Sequence, residues 1–311
     1  MASFTAKDVA ALREKTSCGM MDCKKALTQA DGDMDKAIEI LREQGLAKAV
    51  KKADRIAADG IVCAKVCDKC GVGVVVEVNS ETDFVAKNAD FRAFVEGVAN
   101  VIIAENPADV EALKACKMGD LTVAENLQEK VLSIGENIQI RRFVRYEADT
   151  VNVCYTHAGG NIGVMVALEV SDNLKDNETV RVLGKDIGMQ VAAMSPLFLD
   201  KADVDEETLA NERRILLTQA IEENNASAKP KPQAILEKMV DGRVGKYYEE
   251  NCLLQQTYVK DNKFSVEKHI AEVAKELGGM IKVVKYVRFE KGEGIEKRQD
   301  DLAAEVAKLV K

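Results

Sequence analysis

The stretch Val74-Val75-Val76-Glu77-Val78-Asn79-Ser80-Glu81-Thr82-Asp83-Phe84-Val85-Ala86-Lys87-Asn88 decides how this chain is read. Val74 to Val78 is an apolar, β-branched run, and Asn79-Ser80-Glu81 is a polar break. Beyond it Phe91, Phe94, Val95, Val98, Val101 and Ile102 recur at helical spacing. A strand, a short turn and a helix with Thr82 as its N-cap are therefore expected. The cap places the carboxylate of Asp83 and the ring of Phe84 together in the first turn, at the tip of a strand-to-helix connection. Phe84 precedes Phe91 by seven residues and shares its stripe, so spacing alone favours a core position for it.

Outward from this stretch there is an internal repeat. Gly73 to Asn79, a helix to Ala104 and Pro107 are echoed by Gly163 to Ser171, a helix from about Glu178 to Ala193 and Pro196. A repeated strand-turn-helix unit predicts two related α+β halves, each burying one sheet face under helices. The second copy has Asp172-Asn173-Leu174-Lys175 where the first has the Asp-Phe tip, which favours a specialised role for the first tip.

The bulk numbers narrow the function classes. The 311 residues suffice for two or three domains. A net charge of −8 makes the chain a poor candidate for phosphate-directed nucleic-acid binding, so no direct nucleic acid is expected. No apolar run of about 18 residues is present, so no membrane span is expected. The N-terminus enters an amphipathic pattern without a signal or transit peptide, and a cytoplasmic location follows as the default. Eight scattered cysteines do not form a secreted disulfide framework. Cys63, Cys67 and Cys70 invite a zinc reading, but no fourth Cys or His lies adjacent, so no metal is assigned. Gly159-Gly160-Asn161-Ile162-Gly163 lacks the Lys-Ser/Thr of a phosphate loop and reads as a hairpin turn. No nucleophile motif or complete metal constellation is present; no enzyme activity and no cofactor are expected.

Residues 1–55 read as three helices: one around Val9 and Leu12 with Thr5 as its cap, one over Met21 to Ala30, and one over Met34 to Arg42 stopped by Gly45. Met20 and Met21 follow Gly19, and one exposed with one buried is the simple account. Lys48 to Asp59 suits a linker or a short solvated helix. Strands are expected over Ile61 to Val66 and Gly73 to Val78, a helix over Leu121 to Leu132, Gly135 as its C-cap, and a strand over Ile138 to Arg145. Asp205 to Glu223, with Leu209, Leu216, Ala220 and Ile221 inward, and a second helix carrying Ile235, Leu236, Met239 and Val240 make an antiparallel hairpin. After Gly242 a β-like stretch (Leu253 to Val259), a helix (Val266 to Leu277), a strand (Ile281 to Phe289) and a helix (Asp301 to Val310) follow.

The segments Thr16–Leu27 (TSCGMMDCKKAL), Thr82–Asn88 (TDFVAKN), Ile134–Arg142 (IGENIQIRR) and Phe289–Lys297 (FEKGEGIEK) resemble the translation elongation factor Ts family, and the similarity extends over essentially the whole chain. The resemblance implies an α+β fold: a ubiquitin-associated-type three-helix bundle (1–55), a duplicated core with antiparallel sheets (56–150 and 151–289), a protruding coiled-coil hairpin at about 205–250 and a C-terminal module (290–311). It implies a guanine-nucleotide exchange factor for the GTPase elongation factor Tu, with possible self-association. Thr82, Asp83, Phe84 and Val85 would form the motif that disturbs the partner's magnesium site, with Phe84 as the wedge. Arg13, Met20, Met21, Lys24, Ile134, Gly135, His157 and Met239 would touch the partner, with Met239 near the base of the coiled coil.

Overall fold

A computed structural model describes residues 4–16, 18–52, 54–226 and 231–296. It begins with three helices, α1 (Ala6–Thr16), α2 (Met20–Gln29) and α3 (Met34–Lys52). They enclose Val9, Leu12, Cys23, Ala26, Leu27, Ala37 and Leu41. Gly45 does not stop α3 as expected. The helix runs on past it, and a Cβ there would already touch Leu132 at 3.5 Å. Leu132 itself joins the bundle core, so the bundle is docked rather than tethered.

Strands β1 (Asp59–Val66) and β2 (Gly73–Ser80) pair antiparallel through a turn at 67–72. Helices α4 (Asp83–Lys87), α5 (Ala89–Glu105) and α6 (Val110–Ala115) follow, then a two-residue ribbon, β3 (Lys117–Met118) and β4 (Leu121–Thr122). Helix α7 (Val123–Ile134) and β5 (Gln139–Tyr146) complete the first half, with strand order β1-β2-β5. The second half repeats it: β6 (Val151–His157), β7 (Ile162–Val170), α8 (Glu178–Met194) and, much later, β8 (Ile281–Glu290), ordered β6-β7-β8. Each central strand pairs antiparallel with both neighbours, giving an α+β fold with two like sheets. The duplication extends to detail. Helices α5 and α8 both end on a left-handed cap, Asn106 and Ser195, directly before Pro107 and Pro196.

The sheets face each other across Val62, Val75, Tyr146, Met165, Ala167 and Phe289, while their outer faces lie under α5 and α8. Gly160 permits the contact at one edge. Its φ is +107°, and a Cβ there would lie 2.2 Å from Ile61. Its carbonyl accepts from the Val62 amide at 2.8 Å.

Between α8 and β8 stand α9 (Glu206–Asn225), α10 (Gln233–Asn251) and α11 (Val266–Leu277). Helices α9 and α10 form the expected hairpin, packed through Leu209, Leu216, Leu217, Ala220, Leu236, Val240 and Val244. Ile221, expected inward, is exposed, as is Ile235. Helix α10 also continues through Gly242, because Leu236, Val240, Val244 and Tyr248 sustain the four-residue stripe that holds it to α9. The expected strand at 253–259 is absent; isolated bridges at Phe198–Cys252 and Thr257–Ser265 stand in its place. Buried Gln190 supports this segment by bonding Gln256, the Thr257 carbonyl and the Val259 amide. The helix expected over Asp301 to Val310 lies outside the described residues. Among those described, no helix is long and apolar enough to cross a membrane.

Candidate functional site

The single helix expected after Thr82 is two. Helix α4 is five residues long, and Asn88 then restarts the chain by accepting from the amides of Asp90 at 2.8 Å and Phe91 at 3.1 Å. The restart breaks the stripe that linked Phe84 to Phe91. Phe91 is fully buried under the sheet, whereas Phe84 is 78% exposed. The core position that spacing favours for Phe84 is therefore wrong. Val85 and Ala86, on the other side of the turn, carry the burial that anchors α4. In the second half of the repeat the matching loop is a single turn at Asp172–Leu174, and Leu174 there is buried. Only the first copy turns its large apolar residue outward.

Thr82 does occupy the position before α4, but its side chain makes no cap. Its hydroxyl donates to Glu136 at 2.7 Å, and the amides of Glu81 and Thr82 donate to the same carboxylate at 3.0 Å each. The arrangement is reciprocal, since Glu81 accepts from the Asn137 amide at 2.6 Å. Two carboxylates thus exchange backbone contacts across the tip, and charge-assisted bonds of this kind are the stronger class. Below them Ser80 donates to the Thr82 carbonyl at 3.0 Å. The loop is held on three sides while its aromatic projects.

Lys87 attends both members of the tip. It pairs with Asp83 at 2.6 Å, one helical turn away, and its ammonium lies 5.8 Å from the Phe84 ring centre. That hydrogen bond, aided by the charges of Lys87 and Lys291, holds the Asp83 carboxyl below the usual aspartate range. Asp83 is half-exposed, so the pair can be exchanged for another partner at small cost.

The structure also brings two elements far apart in sequence to this tip. Ile134 and Ser133, at the end of α7, line a shallow depression with Phe84, Val85 and Asn88. Gly135 is the C-cap expected for α7, with φ +86°, and is exposed; its carbonyl accepts from Lys52. From the other half, the turn after β6 is tied in by Arg92. Its guanidinium donates to the Ala86 carbonyl at 2.8 Å and to the Gly159 carbonyl at 3.1 Å. His157, two residues before Gly159, is exposed and meets the Tyr155 hydroxyl at 3.0 Å.

The remaining candidates are more distant. Arg13 and Lys24 are exposed on α1 and α2. Met20 and Met21 are both exposed, at 44% and 63%, in place of the one-in, one-out arrangement. Cys23, Ala26 and Leu27 fill the inward positions of α2 and leave no room for either methionine. Met239 is half-buried between the hairpin helices, six residues into α10 and so nearer the hairpin tip than its base, where the resemblance puts it. Cys63 packs into the core beneath α5 and does not join Cys67 and Cys70 at the turn. Among the described residues no group of three His, Cys, Asp or Glu side chains is placed to hold a metal ion.

Three residues escaped the sequence reading: Glu136, Glu81 and Arg92. Glu136 lies 54 residues from Thr82 in sequence, and no local pattern could pair them.

The sheet pair is closed by Gly292 and Glu293. Glu77, fully buried in β2, accepts from the Gly292 amide at 2.7 Å, Arg142 at 2.6 Å, Arg141 at 3.0 Å and Asn79 at 3.1 Å. Burial pushes its pKa up, but these donors outweigh burial and hold it below the ordinary value.

Comparison with known proteins places this sequence in a family. The sequence model described as Elongation factor TS matches residues 81–293. A protein of Syntrophotalea carbinolica named elongation factor Ts is 47% identical over 311 residues, covering 99% of each chain. Its namesakes are 48% identical in Clostridium perfringens strain SM101 (98% of this chain, 99% of the other) and 47% identical in Clostridioides difficile strain 630 (100% of both).

Proposed function

This chain belongs to the elongation factor Ts family, and from that premise we propose that it is a guanine-nucleotide exchange factor for elongation factor Tu. It would act in translation elongation, in the cytoplasm, without covalent chemistry. The observation that carries the mechanism is the exposure of Phe84 on a loop whose backbone is held at Thr82 by Glu136 and whose far side is anchored by buried Val85.

A magnesium ion bound with nucleotide needs near-octahedral oxygen ligation and tolerates little distortion. A phenyl ring carried on a fastened loop and pushed between the partner's elements would disturb that shell. The Asp83 carboxylate, released from Lys87, would compete for the same hydrogen-bond donors and waters. Metal and nucleotide would then be held less tightly. Linkage requires the converse: nucleotide weakens binding of the factor by the same coupling free energy, so the cycle is reversible. Thr82 and Val85 fix the tip, one through Glu136 and the other through burial.

Ile134, Gly135 and His157 would form the surface beside the wedge. Arg13, Met20, Met21 and Lys24 offer a second patch, in which two exposed, adaptable methionines lie between cations. Met239 would contribute through the hairpin, which is also the element available for self-association.

The test is release of labelled GDP from elongation factor Tu with and without this protein. Wild type should accelerate release, and the Asp83→Ala, Phe84→Ala double variant should not. Release that is unchanged by the wild-type protein rejects the reading.

A further inference from the structure

We propose that Cys67 and Cys70 form a redox-active dithiol that closes to an intramolecular disulfide on reaction with a low-molecular-weight disulfide such as glutathione disulfide. This site stands apart from the nucleotide-exchange role.

The geometry comes first. The chain between β1 and β2 makes one closed turn: the Gly71 amide donates to the Cys67 carbonyl at 2.8 Å, and the Cys67 amide to the Val72 carbonyl at 2.9 Å. That i→i+4 bond closes one unrepeated helical turn, in which residues three apart are neighbours with Cβ atoms about 5–6 Å apart. A disulfide needs Cβ atoms roughly 3.5–4.5 Å apart, so the pair can close by a shift of about 1–2 Å within the turn. Gly71, with φ +70°, supplies the left-handed residue that the return to β2 requires. Cys70 is exposed and Cys67 half-exposed, and both face an open cleft between this turn and residues 148–154. A tripeptide-sized disulfide can approach.

Cys67 also differs from four of the other cysteines. Burial pushes Cys63 and Cys18 up, Cys252 to about 11 and Cys154 to about 12. Cys67 is held down, by the Cys70 side chain and the backbone amides of Cys70 and Lys69 set against its sulfur. A stabilised thiolate beside an exposed thiol is the arrangement of an attacking and a resolving cysteine.

The chemistry balances. The Cys67 thiolate attacks one sulfur of the oxidant, forming a mixed disulfide and expelling one thiolate. Cys70 gives up its proton and attacks the Cys67 sulfur, which forms the Cys67–Cys70 bond and expels the second thiolate. The protein loses two protons and two electrons to the oxidant, which leaves as two thiols. The strand β2 separates this turn from the wedge by seven residue steps, about 23 Å, so closure leaves the tip in place.

The experiment treats the full-length protein with glutathione disulfide in graded glutathione buffers and follows intact mass and peptide maps. Wild type should lose two hydrogens, mapped to Cys67–Cys70, and regain them with reductant. Cys70→Ser should stop at a single glutathione adduct on Cys67. Cys67→Ser should react at Cys70 more slowly than Cys70→Ser reacts at Cys67. Exchange on elongation factor Tu should be equal in the two redox states. A wild-type product that remains a mixed disulfide, a bridge to any other cysteine, or equal rates in the two serine variants overturns the proposal.

Discussion

The Glu136 carboxylate grips Thr82 twice, through its amide at 3.0 Å and its hydroxyl at 2.7 Å. In Glu136→Gln one acceptor oxygen becomes an NH₂ that confronts donors. Hydrogen bonds to charged groups contribute about 1.5–3 kcal/mol, and about 1.4 kcal/mol is a factor of ten. GDP release from elongation factor Tu should therefore slow about tenfold, and the thermal midpoint should fall by a few degrees. In a Phe84→Ala background the same substitution should have no further effect on exchange. Equal losses in both backgrounds would show that Glu136 does not act by holding the ring.

Phe84 and Phe91 share a helical stripe in sequence and opposite environments in the fold. Phe84→Ala should change unfolding free energy by less than about 0.5 kcal/mol, as exposed substitutions do. Phe91→Ala should cost about 3–5 kcal/mol, since it opens a cavity in the core beneath the sheet. Urea unfolding of the two variants decides the matter. A large loss in Phe84→Ala would mean the ring packs inward.

These two phenylalanines also show how far the sequence could be read. Periodicity gave the strand-and-helix order, the duplicated halves and the paired arm helices, because each rests on local burial patterns. It failed at α4, where Asn88 interrupts a helix whose apolar spacing runs on unbroken. Gly45 and Gly242 misled in the opposite sense: both lie inside helices that tertiary packing sustains. The asymmetry of the repeat marked the Asp-Phe tip as specialised, the resemblance alone singled out Phe84 as a candidate wedge, and Glu136 was not legible at all. A carboxylate that serves a loop 54 residues away leaves no periodic trace. The segment Phe289–Lys297 likewise carried a resemblance without a reason until Gly292 was seen bound to Glu77.

Glu77 makes stability pH-dependent. Its donors hold the folded-state pKa below the ordinary glutamate value of about 4.3. The contribution is thus complete above that value and disappears as pH falls through the lower, folded-state one. Urea midpoints of wild type should drop more steeply below about pH 4.3 than those of Glu77→Gln. At neutral pH the variant should be less stable by about 2–3 kcal/mol, because Arg141 and Arg142 lose their shared carboxylate but keep partial access to water. Parallel pH profiles for the two proteins would remove Glu77 as the source.

Gly292 reaches Glu77 only because it lacks a side chain. Its φ is +68°, and an added Cβ would lie 2.1 Å from the Ala58 carbonyl oxygen, so Gly292→Ala cannot keep its place. The substitution should lift the 291–294 segment off the sheet, break the 2.7 Å bond to Glu77 and cost about 2–3 kcal/mol. Glu77→Gln weakens the same bond from the other end. The double variant should accordingly be less destabilised than the sum of the singles, by about 1 kcal/mol or more. Urea unfolding of the four proteins measures that coupling. Strict additivity would show that the glycine serves chain reversal alone and that Glu77 is satisfied by its two arginines and Asn79.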